Sequence, residues 1–132
     1  MVLVDTSVLI DYFKGIDNER TNKFQFIQDQ NIEFGIANLI YLEILQGSKN
    51  AEEYNKLKKY LETQLFYGLK NDKSSYEKSA TIFMLCRKKG ITIRSTIDLI
   101  ISQIAIENNL YLLHNDKDFD EISKIQKELK IY

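Results

Sequence analysis

Four carboxylates stand in this chain where carboxylates are hard to account for: Asp5, Glu43, Asp98 and Asp116. Asp5 closes the apolar run Val2-Leu3-Val4, and a second run, Val8-Leu9-Ile10, follows it closely. Glu43 sits in NLIYLEILQG among Leu39, Ile40, Leu42, Ile44 and Leu45, so little of its helix is expected to face water. Asp98 lies in the first turn of IDLIISQIAI, and Asp116 lies in HNDKDFD, where Asp118 is a rival for the same role. Burying a carboxylate costs stability unless its charge is compensated. Four that converged would repel one another and raise their proton affinity, and a cation removes that penalty. Mg²⁺ or Mn²⁺ suits an all-oxygen set and keeps waters that substrate phosphate can replace. The chemistry such a centre supports is hydrolysis of a phosphodiester.

Local roles compete with that reading. Asp5 can cap a helix beginning near Ser7, and Asp98 can form a capping box with Ser95. Asp116 can belong to a turn before a helix capped by Asp118. Glu43 has no capping role, and a salt bridge to a lysine is its structural alternative. Asp116, Asp118 and Asp120 imitate the start of a calcium loop, but Glu121 stands where that loop needs Gly and Lys127 where it needs Glu, which excludes an EF-hand.

The elements that must position these acids follow from the apolar pattern. Val2 to Asp5, Ile32 to Ala37, Gln64 to Gly68 and Tyr111 to His114 read as short buried strands. Between them, helix-period segments run over Ser7 to Lys14, Asn18 to Gln30, Asn38 to Gln46, Ala51 to Thr63 and Lys73 to Lys89. On the fourth of these, Tyr54, Leu57 and Leu61 are expected inward; on the fifth, Ala80, Phe83, Met84 and Arg87 share a face. IDLIISQIAIENN is apolar almost all round, which predicts a central buried helix, and a last helix starts near Asp118. Apolar strands separated by helices indicate an α/β fold with a parallel sheet covered on both faces. Ligand sites then lie at the carboxyl ends of the strands, where Asp5 and the Asp116 segment meet if their strands are neighbours.

Composition sets the outer limits. The 132 residues match one ordinary domain, with no proline and no repeat to mark a linker. The single Cys86 forms no internal disulfide and no Cys/His metal spacing exists, as expected of a reducing, cytoplasmic setting. No apolar run reaches the roughly 20 residues of a membrane span, and Asp5 and Asp11 interrupt the apolar start, unlike a signal peptide. Formal net charge is −1, from 18 Lys and Arg against 19 Asp and Glu. Taking four acids for a cation leaves +3 on the rest of the surface, compatible with a polyanionic substrate.

On these residues the chain resembles the PIN-domain ribonucleases, and most closely the VapC-type toxins of toxin-antitoxin modules, over essentially all of residues 1–132. The opening strand with Asp-Thr-Ser, here VLVDTSVLID, matches the first family acid as Asp5 with the hydroxyls of Thr6 and Ser7 beside it. YLEILQG matches the second as Glu43, STIDLIISQIAI the third as Asp98, and LLHNDKDF the fourth region, with Asp116 as the acid and Asn115 as loop organiser. The resemblance implies a three-layer α/β/α sandwich with a central, mostly parallel sheet of four to five strands. It further implies a Mg²⁺- or Mn²⁺-dependent endoribonuclease in which Asp5 and Asp98 hold the ion and Glu43 or Asp116 orients or deprotonates water. A homodimer, a cognate VapB-type antitoxin and an RNA substrate complete the expectation.

His114 is expected to pack rather than react, having no partner pattern. Lys14, Arg87, Lys88 and Arg94 are candidates for the RNA backbone, since phosphate neutralisation supplies most non-specific affinity. A helix C-terminus alone would also favour Lys88. The rivals are a PIN-like docking module without catalysis and, more remotely, a phosphatase or receiver domain. The former phosphatase would want Asp where Ser7 stands, and a receiver an acidic pair that is missing.

Overall fold

A computed structural model describes all of residues 1–132. The elements run β1 (Val2–Val4), α1 (Thr6–Phe13), α2 (Glu19–Asp29), β2 (Phe34–Ala37), α3 (Asn38–Gln46), α4 (Ala51–Leu61), β3 (Leu65–Tyr67), α5 (Lys73–Lys88), α6 (Thr96–Glu107), β4 (Tyr111–Leu113), α7 (Lys117–Ile125) and β5 (Lys130–Ile131). The sheet has five strands in the order β3-β2-β1-β4-β5, every pairing parallel. Helices α1 to α4 pack among themselves, as do α5 to α7. Right-handed crossovers from a central β1 put these two groups on opposite faces of the sheet.

β1 is apolar throughout because it is central and covered on both faces: Val2, Leu3 and Val4 are all buried. Ile36, Ala37, Leu112 and Leu113 continue its layer, with Phe24 and Ile27 of α2 and Ile101 and Ile104 of α6 in the core. Burying one such aliphatic side chain contributes roughly 1.5–3 kcal/mol. In β2, Gly35 is required by a close approach. A Cβ there would stand 2.4 Å from the Tyr67 ring and 2.8 Å from the Leu65 carbonyl.

Several expectations are corrected. Asp98 forms no capping box, since the Ser95 side chain makes no cap hydrogen bond. Asp116, not Asp118, caps α7 by accepting from the Asp118 N–H at 2.9 Å. The buried stripe of α5 is Ser75, Ser79, Ile82 and Cys86, while Ala80, Met84 and Arg87 face outward. The stripe is mostly small, which lets α5 approach α6 closely, and the Ser79 hydroxyl is satisfied by the Ser75 carbonyl at 3.0 Å. Tyr54 on α4 is exposed, and α3 buries only Ile40 and Ile44, leaving Leu42 55% exposed. β5 has no counterpart among the predicted strands, because its two residues are too short for any periodicity. No helix is long and apolar enough to cross a membrane.

Candidate active site

Because all strands run the same way, Asp5 after β1, the start of α3 after β2 and the His114 segment after β4 emerge at one edge of the sheet. The Asp5 N–H donates to the Leu113 carbonyl at 2.9 Å, tying the first acid to the strand that leads to the fourth. Asp5 caps α1: its Oδ2 accepts from the Ser7 N–H at 3.1 Å and the Ser7 hydroxyl at 2.6 Å. Capping does not exhaust its charge. Asp5 is buried without a cationic partner, and burial, opposed by the Ser7 hydrogen bonds and reinforced by Glu43, raises its pKa.

Glu43 faces Asp5 from the middle of α3. Its Oε1 accepts from the Thr6 hydroxyl at 2.8 Å, and no lysine pairs with it. Ser7 also reaches forward, its Oγ accepting from the Asn115 N–H at 2.9 Å. The Asn115 side-chain amide donates to Asp11 Oδ2 at 3.2 Å, as does the Asn18 amide at the same distance. Asn115 thus ties the segment after β4 to α1, and Asp11 is an anchor for two amides that its position in an apolar segment did not reveal.

Asp98 lies between these acids and the α7 end. Its pKa is pushed up to about 7, first by burial and then by the charges of Asp5, Asp116, Asp118 and Glu43. All five acids thus share one electrostatic field. One carboxylate oxygen from each of Asp98, Asp116 and Asp118 lies within 4.8 Å of the others, a spacing that one cation can bridge. Asp116 and Asp118 both face Asp98.

Arg94, expected at the RNA backbone, sits instead on these acids. Its Nη2 is 3.7 Å from Asp116 Oδ1 and its Nε 3.3 Å from Asp118 Oδ2, with the backbone N–H of Arg94 also 3.4 Å from Asp118 Oδ2. Asp118 is almost fully buried, so its charge leans on this guanidinium, which is itself 65% exposed. Nothing local in ITIRS announces the pairing; it is made by the chain returning 24 residues later.

His114 packs, as expected. It is buried against the Phe119 ring, its Nδ1 accepts from the Asp116 N–H at 3.1 Å, and its Nε2 points towards Asp120 Oδ1 at 3.4 Å without completing a hydrogen bond. Burial lowers its pKa, against the opposing pull of Asp120. Of the other candidates, Lys14 caps the end of α1 near Glu43, while Arg87 and Lys88 close α5, with Arg87 5.6 Å above the Phe83 ring.

The oxygens of Asp98, Asp116 and Asp118 are hard donors spaced for a divalent ion, whereas Asp5 and Glu43 stand outside that 4.8 Å group and reach it through their charges on Asp98. A PIN domain family model matches residues 2–125. The chain is 27% identical over 130 residues to the protein named VapC ribonuclease Mb1587 of Mycobacterium bovis and to ribonuclease VapC11 of Mycobacterium tuberculosis, covering 95% of this chain and 93% of each relative. Among solved structures it is similar to VapBC2 from Rickettsia felis bound to a promoter DNA fragment, with TM-score 0.75 and 20% identity over 100% of this chain and 98% of that one. It is also similar to FitAcB from Neisseria gonorrhoeae, with TM-score 0.71 and 19% identity over 100% and 96%.

Proposed function

We propose, on the premise that this chain belongs to the PIN domain family, that it is a metal-dependent endoribonuclease and the toxin of a toxin-antitoxin pair. The observation that carries the reading is the convergence of Asp98, Asp116 and Asp118, one oxygen of each within 4.8 Å of the others, with Asp5 and Glu43 adding their charge to the field on Asp98. Such a cluster destabilises the fold unless it serves a cation. Asp5 and Asp98, together with Asp116 or Asp118, would hold Mg²⁺ or Mn²⁺. Bound there, the ion supplies an acidified water and neutralises charge on the scissile phosphate.

The chain's own groups do the rest. Thr6 fixes Glu43 through Oε1, which leaves Oε2 to accept the proton of an attacking water. Ser7 couples Asp5 to the Asn115 backbone and so keeps two acidic loops in register. Lys14 and, at the end of α5, Arg87 and Lys88 are the cations offered to the RNA backbone.

A VapB-type antitoxin acting in the cytoplasm is the partner this reading calls for, supported by the likeness of the fold to a structure titled VapBC2. A homodimer is supported by open apolar surface: Leu39, Tyr76 and Ile100 line one hollow past β3, and Leu42 on α3 stands exposed.

One observation favours a second reading, a docking module without catalysis: Arg94 already places a positive charge against Asp116 and Asp118. Cleavage of total RNA separates the two. The full chain with Mn²⁺ is expected to cut RNA at mappable ends, to stop in EDTA and to regain activity when Mn²⁺ is restored. No Mn²⁺-dependent cut ends would leave the docking module standing.

A further inference from the structure

A groove opens beside the acid cluster that neither the capping network nor the cation accounts for. It lies between the end of α1, the end of α3 and the middle of α4, encloses about 670 Å³, and has Glu43 in its wall. That volume falls within the range of pockets holding small organic ligands and is ample for one nucleotide. Its floor is apolar, made by Ile10, Phe13, Ile44 and Leu57. Phe13 is the one aromatic ring in it, 38% exposed and steadied by edge-on packing against Tyr60 at 5.8 Å between ring centres.

Charge distinguishes the outer rim from the inner wall. Lys14 and Lys49 line the groove and neither is held in an ion pair. Lys56 is drawn to Glu52 at 3.7 Å, and Glu53 is the one acid besides Glu43. A negatively charged chain passing its phosphodiester to the acids meets repulsion there and attraction a few residues further on.

We propose that this groove binds the nucleotide next to the scissile bond, with its base against Phe13 and its flanking phosphates on Lys14 and Lys49. The inference rests on the ribonuclease reading and adds to it a subsite with a stated chemistry. Base stacking on an exposed aromatic ring beside a basic rim is how sequence-tolerant single-strand sites are built. A polymeric substrate must run off the reaction centre in some direction, and the shared Glu43 makes this groove continuous with that centre. The two unpaired lysines call for an anionic occupant, and the shared Glu43 wall favours the polyanion that would be cut beside it.

Fluorescence anisotropy with a labelled, unstructured 12-nucleotide RNA tests this. The full chain carrying Asp98→Asn, which keeps the RNA uncut, serves as the reference, with and without Lys14→Glu/Lys49→Glu. The double variant is expected to weaken binding about tenfold or more and to lower the slope of log K against log salt by roughly 1.4, the share of two phosphate contacts on a single strand. Phe13→Ala is expected to cost about tenfold with the salt slope unchanged. Since Phe13 also packs on Tyr60, the exposed lysine pair keeps the test sound if that variant melts early. Lys73→Glu/Lys127→Glu, on the opposite face and of equal charge change, controls for long-range attraction. Equal loss from both lysine pairs, or none from Lys14 and Lys49, overturns the subsite while leaving the nuclease reading intact. A reference chain that binds no RNA, with a wild type that cuts none, overturns both.

Discussion

Replacing Asp98 by Asn should abolish cleavage and yet stabilise the metal-free protein. Raising a carboxyl from 3.8 to about 7 is worth at most about 4 kcal/mol against the folded state. Asp98 is only half-buried, so solvent screening reduces this to about 2 kcal/mol. Its favourable place in the first turn of α6 takes back a few tenths more. The sign follows from linkage. The folded chain holds the Asp98 proton more tightly than the unfolded chain does, so its contribution to stability is intact below about pH 4. That contribution is lost as pH rises through about 7. Asn carries no such dependence. In EDTA at pH 8, Asp98→Asn should therefore melt about 5–8 °C above wild type, the shift that ~2 kcal/mol gives in a chain of this size. Near pH 4 the two should melt together. Circular dichroism melts across that range read the effect directly. A variant no more stable than wild type at pH 8, or a difference that does not grow with pH, would refute a cluster held together against its own repulsion.

Asp5→Asn should lower Mn²⁺-dependent RNA cleavage by about 10³-fold or more while the far-ultraviolet spectrum is unchanged, because the amide oxygen keeps the Ser7 caps; full cleavage by this variant removes Asp5 from the site. Arg94→Gln should tighten Mn²⁺ binding by about two- to fivefold in calorimetry, the worth of an exposed ion pair competing for the same oxygens. Weaker Mn²⁺ binding would instead make Arg94 a support of the acids. Wild type should elute in light scattering at twice the 15.5 kDa chain mass, and Leu42→Asp at one. A monomeric wild type would leave the exposed Leu42 without that partner.

What was legible in the sequence is what local pattern controls. Asp5, Glu43 and Asp98 stood out because charge interrupts apolar runs of helical or extended period, and the parallel sheet then brings their segments to one edge. The buried face of α5 was not legible, because its stripe is built from Ser75, Ser79 and Cys86 with Ile82, mostly small groups that carry no apolar periodicity. Leu42 was assigned to the interior by its type, yet an apolar side chain at the surface has the same local signature as one in the core. Arg94 was given to the substrate because its pairing with Asp118 depends on tertiary approach, which no spacing encodes.

The central position of β1 carries a consequence for synthesis. Its neighbour on one side, β2, ends by residue 37, but its neighbour on the other, β4, starts only at residue 111. Until that stretch has left the ribosome, half of the first strand is unsealed, and the acids that complete the pocket do not yet exist as a cluster. Such long-range closure is slow to form. Whatever chemistry the acid cluster performs is thereby withheld until most of the chain has been made.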